Sequence, residues 1–303
     1  MKWVIESSPH LQSAETVPKI MVSVFAALVP AGFLGVSRFG IHSAFVVLTS
    51  VAGCVLLEFI SQKWVFKSPV RIGDGSAALT GLLMAYCLPP DLPLWQVGVG
   101  CFFAIFIAKE CFGGLGNNLF NPALVGRAVL LTSFPVTMTR WQIDGVAQAS
   151  PLGIWKESIG ASLPSYGTLF AGGIPGSIGE TSKLLLIAGG LFLLARGIIS
   201  WHIPLSMIGS IFVLSFFFRQ DPVFQVLSGG LILGAVYMAT DTVTGPLTAR
   251  GKLIFGFGCG LLTVCIRNLG SYPEGVCYAI LIMNMLVPLI DRFTRQRIYG
   301  KST

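Results

Sequence analysis

Two interruptions in otherwise apolar sequence carry most of the residue types from which a membrane-buried site could be built. The first, GGLGNNLFNP at 113–122, sets Asn117, Asn118 and Asn121 among Gly113, Gly114, Gly116 and Pro122. Carboxamides donate and accept hydrogen bonds, and backbone groups freed in hydrocarbon must line a cavity or be buried in protein. The pattern fits a lined ligand or ion site, the helix start at Pro122 favouring an anion. It fits equally a tight, Asn-capped turn at the cytoplasmic interface. The second interruption, YMATDTVTGP at 237–246, ends an apolar helix on Asp241, flanked by Thr240, Thr242 and Thr244. A carboxylate at the bilayer centre costs about 2.5–3.5 kcal/mol on insertion scales, so depth separates a functional acid from a helix-end charge. Glu58, Asp74, Lys109 and Glu110 read as boundary charges of the helix-end kind, with no catalytic geometry among them.

A third stretch, IDGVAQASPLGIWKES at 143–158, offers a hydroxyl at Ser150 and a carboxylate at Asp144 six residues upstream. Pro151 biases Ser150 towards an extended backbone, which would present the hydroxyl outward. By residue type alone, a turn or an amphipathic surface stretch is the simpler reading. The seven cysteines lie in or beside apolar segments without a C-x-x-C pair, as buried thiols do, so no metal site is expected. His10, His42 and His202 suit interfacial or capping roles, and the six tryptophans mostly flank apolar runs as an aromatic belt.

The elements that must position these residues follow from composition. Of 303 residues, 53% are hydrophobic and 11% charged, against about 25% charged in soluble chains. This is an integral membrane protein, which excludes a water-soluble enzyme, a disordered chain and a secreted disulfide scaffold. The net charge of +7 is scattered between apolar runs, so it reads as a topology signal and not as a nucleic-acid surface. The polar N-terminus lacks the pattern of a cleavable signal, and the first apolar run is expected to be retained.

At about 20 helical residues per crossing, spans are expected near 18–36, 41–60, 76–90, 93–112 and 121–136. After a polar interval they resume near 183–200, 203–219, 223–240, 253–268 and 275–291. The third and fifth are short and bounded by Gly, Pro or Asn. The Lys/Arg clusters at 63–71, 250–252 and 292–301 fall on one side if both termini are cytoplasmic. LPPDLP at 88–93 and the long 137–182 interval then fall outside. Two related five-span halves must enter the membrane from opposite sides, giving an inverted repeat; VGVGCFF at 97–103 echoes FGFGCGL at 255–261. The expected organisation is a first membrane repeat at 1–136, an external loop at 137–182 and a second repeat at 183–303. Such a fold would also suit a transporter or channel for a small polar solute.

SPHLQSAETVPKIM (8–21), FGGLGNNLFNPALVGRAVLLTSFPVTMTRW (112–141), DGVAQASPL (144–152) and YMATDTVTGPLTARG (237–251) resemble the D-type subunits of the Rnf electron-transport complex. More distantly they resemble the B-type subunits of the sodium-pumping NADH:quinone oxidoreductase. The resemblance runs in order over nearly the whole chain, and the length suits the Rnf family better. It implies an all-α, polytopic, ten-span fold of the urea-transporter type in two inverted repeats. It also implies FMN joined through its phosphate to a hydroxyl by a separate flavin transferase. Here that hydroxyl falls on Ser150, where the family motif has Thr, with Asp144, Gly145, Ala149, Pro151 and Leu152 around it. Serine retains the nucleophilic oxygen and lacks only a methyl group. A second, non-covalent riboflavin is implied in the membrane part, with Asn117, Asn118, Asn121, Thr240 and Asp241 as candidates for a flavin or ion site. The implied partners are the A, B, C, E and G subunits, and the implied place is the cell inner membrane, with 137–182 on the periplasmic side. The implied task is to relay electrons between ferredoxin and NAD⁺ chemistry held on other subunits, coupled to Na⁺ or H⁺ translocation; the chain is not catalytic alone.

Overall fold

The structure, a computed structural model, describes residues 15–143, 146–157, 163–270 and 272–295. Asp144 and Gly145 lie outside the described residues.

Five helical stretches are long and apolar enough to cross a membrane. They are α1 (Val17–Phe39), α2 (Ile41–Ile60, continued by a π turn to Val65), and α4 (Leu94–Phe102, continued by a π turn Phe103–Ile107 and on to Phe112). The others are α13 (Ala249–Leu269) and α14 (Val276–Thr294). The remaining apolar segments are helical but shorter: α3 (Ser76–Tyr86), α5 (Pro122–Ser133), α9 (Lys183–Ala195) and α10 (His202–Phe217). One is in pieces, α11 (Pro222–Leu227) and α12 (Leu231–Leu233), the latter running into a π turn Gly234–Met238. Every expected apolar segment is therefore helical, but the expected extents 76–90 and 121–136 are too long. At 1.5 Å per residue, α3 reaches only about 16 Å, roughly half the hydrocarbon core. Local chemistry accounts for the shortening. A turn at Cys87, just ahead of Pro89 and Pro90, ends α3, and Pro135 after α5 opens a separate turn, α6 (Pro135–Met138).

Between the halves lie β1 (Trp141–Ile143), β2 (Val146–Gln148), α7 (Pro151–Glu157) and α8 (Tyr166–Ala171). The strands pair antiparallel with Trp141 opposite Gln148, a small departure from the all-helical expectation.

Large apolar side chains stay on the outside, with Phe33 77% and Phe217 76% exposed. Bare to water such a surface would be unfavourable; it suits lipid or another membrane subunit, and the chain is a polytopic membrane protein. Inside, the helices close on small residues. A Cβ at Gly126 of α5 would sit 2.7 Å from the Gly100 carbonyl of α4 and 2.7 Å from Met84 Sδ of α3. Two tyrosines make matching contacts in the two halves. Tyr86 at the end of α3 donates to the Leu28 carbonyl of α1 at 2.8 Å, and Tyr237 after α12 donates to the Leu186 carbonyl of α9 at 2.9 Å.

Contacts sort the helix termini onto two ends. One end gathers Glu58, Lys109 and Ser76, together with the Thr248–Thr294 bond. The opposite end gathers the Ile178–Leu88 and His42–Pro90 bonds and the Lys156 contacts to Gly270 and Tyr272.

Candidate functional site

The two interruptions meet. Asn121 caps α5, its Oδ1 accepting from the N–H groups of Ala123 (3.1 Å) and Leu124 (3.4 Å). The groups that could have met an anion are thereby occupied by the chain itself. The Asn121 Nδ2 donates across to the Met238 carbonyl at 3.2 Å, at the end of the opposing π turn. Asn284 of α14 bridges the same two breaks. Its Oδ1 accepts from the Asn121 N–H at 3.4 Å, and its Nδ2 donates to the Thr244 carbonyl at 3.0 Å. Asp241 folds its carboxylate onto its own turn, accepting from the Val243 N–H (3.2 Å) and the Thr244 hydroxyl (3.0 Å). The Thr240 hydroxyl donates to the Val236 carbonyl at 2.6 Å.

A cavity of about 80 Å³ lies between the breaks, lined by Lys109, Asn118, Asn121, Thr240, Asp241 and Tyr237. Asn118 is 6% exposed, and its Oδ1 has no hydrogen-bond partner among the described residues. Of the five candidates, four line this cavity; Asn117 does not, being exposed and bonded back to the Gly113 carbonyl. The volume admits water or a bare ion, whereas drug-sized ligands occupy about 300–1,000 Å³. A vestibule of about 880 Å³ adjoins it, sharing Met21, Leu115 and Thr242.

The supposed boundary charges form the wall between these spaces. Lys109 and Glu58 are each 1% exposed and pair at 2.8 Å, with a further bond from Lys109 Nζ to the Ser76 hydroxyl at 2.6 Å. Gln62 Nε2 donates to both Glu58 Oε1 (3.1 Å) and Glu110 Oε1 (3.2 Å), tying two carboxylates together. Reading these residues as solvated helix ends fails because α2 and the end of α4 bring them face to face. Buried charges persist only when paired in this way.

At the opposite end, Ser150 is 7% exposed rather than outward-facing. It caps α7: its Oγ accepts from the Gly153 N–H at 3.1 Å, and its carbonyl accepts from Ile154 at 2.9 Å. An extended residue before proline is well suited to the N-cap position, and that role turns the hydroxyl inward over the helix. Ala149 beside it is exposed, while Pro151 and Leu152 are buried. Gly153 leaves room at the hydroxyl, since a Cβ there would approach Oγ to 3.3 Å. Leu152 packs with Leu169, Ile174 and Phe224. The Lys156 ammonium reaches the carbonyls of Gly270 and Tyr272, the latter at 3.0 Å. Partial burial lowers its pKa below the ordinary lysine value.

Beneath α7 lies a buried polar layer. Arg127 of α5 pairs with Glu274 ahead of α14. Arg267 of α13, 1% exposed, donates to the carbonyls of Gln225 (2.6 Å) and Ser228 (2.9 Å). Sequence reasoning missed Arg127, Arg267 and Asn284. The available signal was a lone polar residue within each apolar run, which is costly in a membrane and so has a role by default.

Long apolar helices, half-length helices meeting at polar breaks, and a lipid-facing exterior define a polytopic membrane protein with one polar centre near each end. A model of the NQR2, RnfD, RnfE family matches residues 4–300, and the chain belongs to that family. It is 48% identical to the D subunit of the proton-translocating ferredoxin:NAD(+) oxidoreductase complex of Clostridium ljungdahlii, covering 98% of this chain and 96% of that one. It is 45% identical to the D subunit of the Na(+)-translocating ferredoxin:NAD(+) oxidoreductase complex of Acetobacterium woodii, covering 98% and 95%. It is 37% identical to the D subunit of the ion-translocating oxidoreductase complex of Cronobacter sakazakii, covering 99% of each.

Proposed function

We propose that this chain is the D-type membrane subunit of an Rnf ferredoxin:NAD⁺ oxidoreductase, carrying FMN on Ser150 and passing electrons within a complex that translocates Na⁺ or H⁺. The near-full-length match to proteins of that name carries the reading. Both ions occur in those names, at 48% and 45% identity.

The local geometry fits a phosphoester at Ser150. Its oxygen accepts from the Gly153 N–H, and esterification removes the hydroxyl hydrogen while keeping a lone pair for that bond. The exposed Ala149 and the missing Cβ of Gly153 leave a way outward. When bound, the isoalloxazine supplies the electron transfer; the chain tethers and orients it. Pro151, Leu152 and the N-cap hold the attachment oxygen. Asp144 serves recognition by the flavin transferase or the structure of its loop, with Gly145 beside it in the motif.

The Asn118, Asn121, Thr240 and Asp241 cavity is, in this reading, a station for an ion or water. The adjoining vestibule has the room that a non-covalent riboflavin requires. Both termini are assigned to the cytoplasm and 137–182 to the external face of the inner membrane. The paired Tyr86 and Tyr237 contacts support the inverted arrangement of the two halves, 1–136 and 183–303, in a ten-segment, urea-transporter-like fold. Apolar faces such as Phe33 and Phe217 are available for lipid or for sister membrane subunits; the ferredoxin and NAD⁺ sites lie on other subunits.

Protein made alongside the transferase, denatured and run on a gel, should fluoresce under ultraviolet light. Ser150→Ala should abolish the band and Ser150→Thr should keep it, with mass spectrometry of the 150–157 peptide locating the added phosphoryl-flavin. A fluorescent Ser150→Ala band would move the attachment elsewhere.

A further inference from the structure

A helix of seven residues does not stand alone in water, so the orientation of α7 is set by what it touches. One anchor is Leu152, buried beside Gly229, where a Cβ would lie 2.2 Å from Leu152 Cδ1. The other is Lys156. Its ammonium donates to the carbonyls of Gly270 and Tyr272, just past the end of α13. Terminal carbonyls there lack intrahelical donors, and a cation matches the negative end of the helix dipole. The post to which it is tied is itself fixed. Arg267, three residues earlier, is 1% exposed and holds the Gln225 and Ser228 carbonyls. The far end of α13 is held by the Thr248–Thr294 bond at 2.7 Å.

We propose that Lys156 is a positioning residue for the flavin: it clamps α7 to the end of α13 and thereby fixes where Ser150 presents its attached group. The inference rests on the Ser150 reading above. The partial desolvation that lowers the Lys156 pKa accords with a contact that is partly removed from solvent. Losing the clamp frees α7 and removes a cation about six residues, roughly 9 Å along the helix, from the attachment oxygen. The reduced, more electron-rich flavin then loses stabilisation, and its midpoint potential falls.

The test uses the whole complex, made with its transferase, as wild type, Lys156→Met and Lys156→Arg. Three measurements are made: gel fluorescence, hydrogen exchange of the 150–157 peptide, and a spectroscopic redox titration of the covalent FMN. The methionine variant should keep its fluorescent band, exchange the Gly153 and Ile154 amides about tenfold or more faster, and titrate at a lower potential. Arginine should restore both towards wild type. If the methionine variant fails to assemble, Lys156→Ala, which removes both the donor and the charge, undergoes the same measurements and should show the same losses. Unchanged exchange beside a fluorescent wild-type band overturns the clamp alone. Faster exchange with an unchanged potential overturns its bearing on the flavin. A dark wild-type band overturns the Ser150 reading, and this role with it.

Discussion

Asn284 joins two chain breaks through one carboxamide, donating to the Thr244 carbonyl and accepting from the Asn121 N–H. Replacing it with leucine keeps the bulk and strands both backbone groups in a dry interior, at about 1–3 kcal/mol each. Thermal unfolding of the detergent-solubilised Asn284→Leu variant should show a clearly lowered midpoint, with Asn121→Ala lowered as well because a helix cap is lost too. The Lys109–Glu58 pair gives a second test at this scale. Lys109→Met alone leaves a buried carboxylate unpaired and should cost about 3–5 kcal/mol. Adding Glu58→Gln should recover most of that loss in the same assay, because position 58 then carries no unpaired charge. That coupling was not legible in the sequence. Glu58 and Lys109 are 51 positions apart, and a charge beside an apolar run looks the same whether solvated or paired. Asn121 was legible as a helix start, since an asparagine before proline is a local signal; its reach to Met238 was not.

Close helix contact is decided by what a residue lacks. Gly126 lets α5 lie on the Gly100 carbonyl of α4, whereas Gly98 on the same α4 has nothing within 4 Å of a notional Cβ. Gly126→Val should therefore separate these helices and destabilise the fold by about 1–3 kcal/mol, while Gly98→Ala should be tolerated. Comparing the two unfolding midpoints checks the assignment of faces. Helix positions along the chain were readable because hydropathy and Gly/Pro punctuation act over a few residues. Helix lengths were less so. Apolar runs continue through 87–90 and 134–136, but proline and the Cys87 turn end the helices first. The segment expected as one span at 223–240 is divided by Gly229 and Gly230, both left-handed.

Over the whole molecule, the orientation can be tested with a native reporter. Cys111 is exposed at the end shared with Lys109, while the exposed Glu157 lies at the Ser150 end. A membrane-impermeant thiol reagent should label Cys111 in inverted vesicles but not in intact cells or right-side-out vesicles. A Glu157→Cys variant should show the reverse; labelling of both from one side would overturn the assigned topology. The sequence by itself determined that the chain lives in a bilayer, where its apolar segments lie, and which motif resembles a flavin-attachment site. Each of these is a property of composition or of a short contiguous stretch. Only the tertiary structure decided that Asn121 and Asn284, 163 positions apart, share a bond, that five charged and polar groups form a wall beside a cavity, and that Ser150 turns inward as a cap. Those arrangements depend on which helix faces meet, and burial leaves each polar group no option but the partner that packing brings to it.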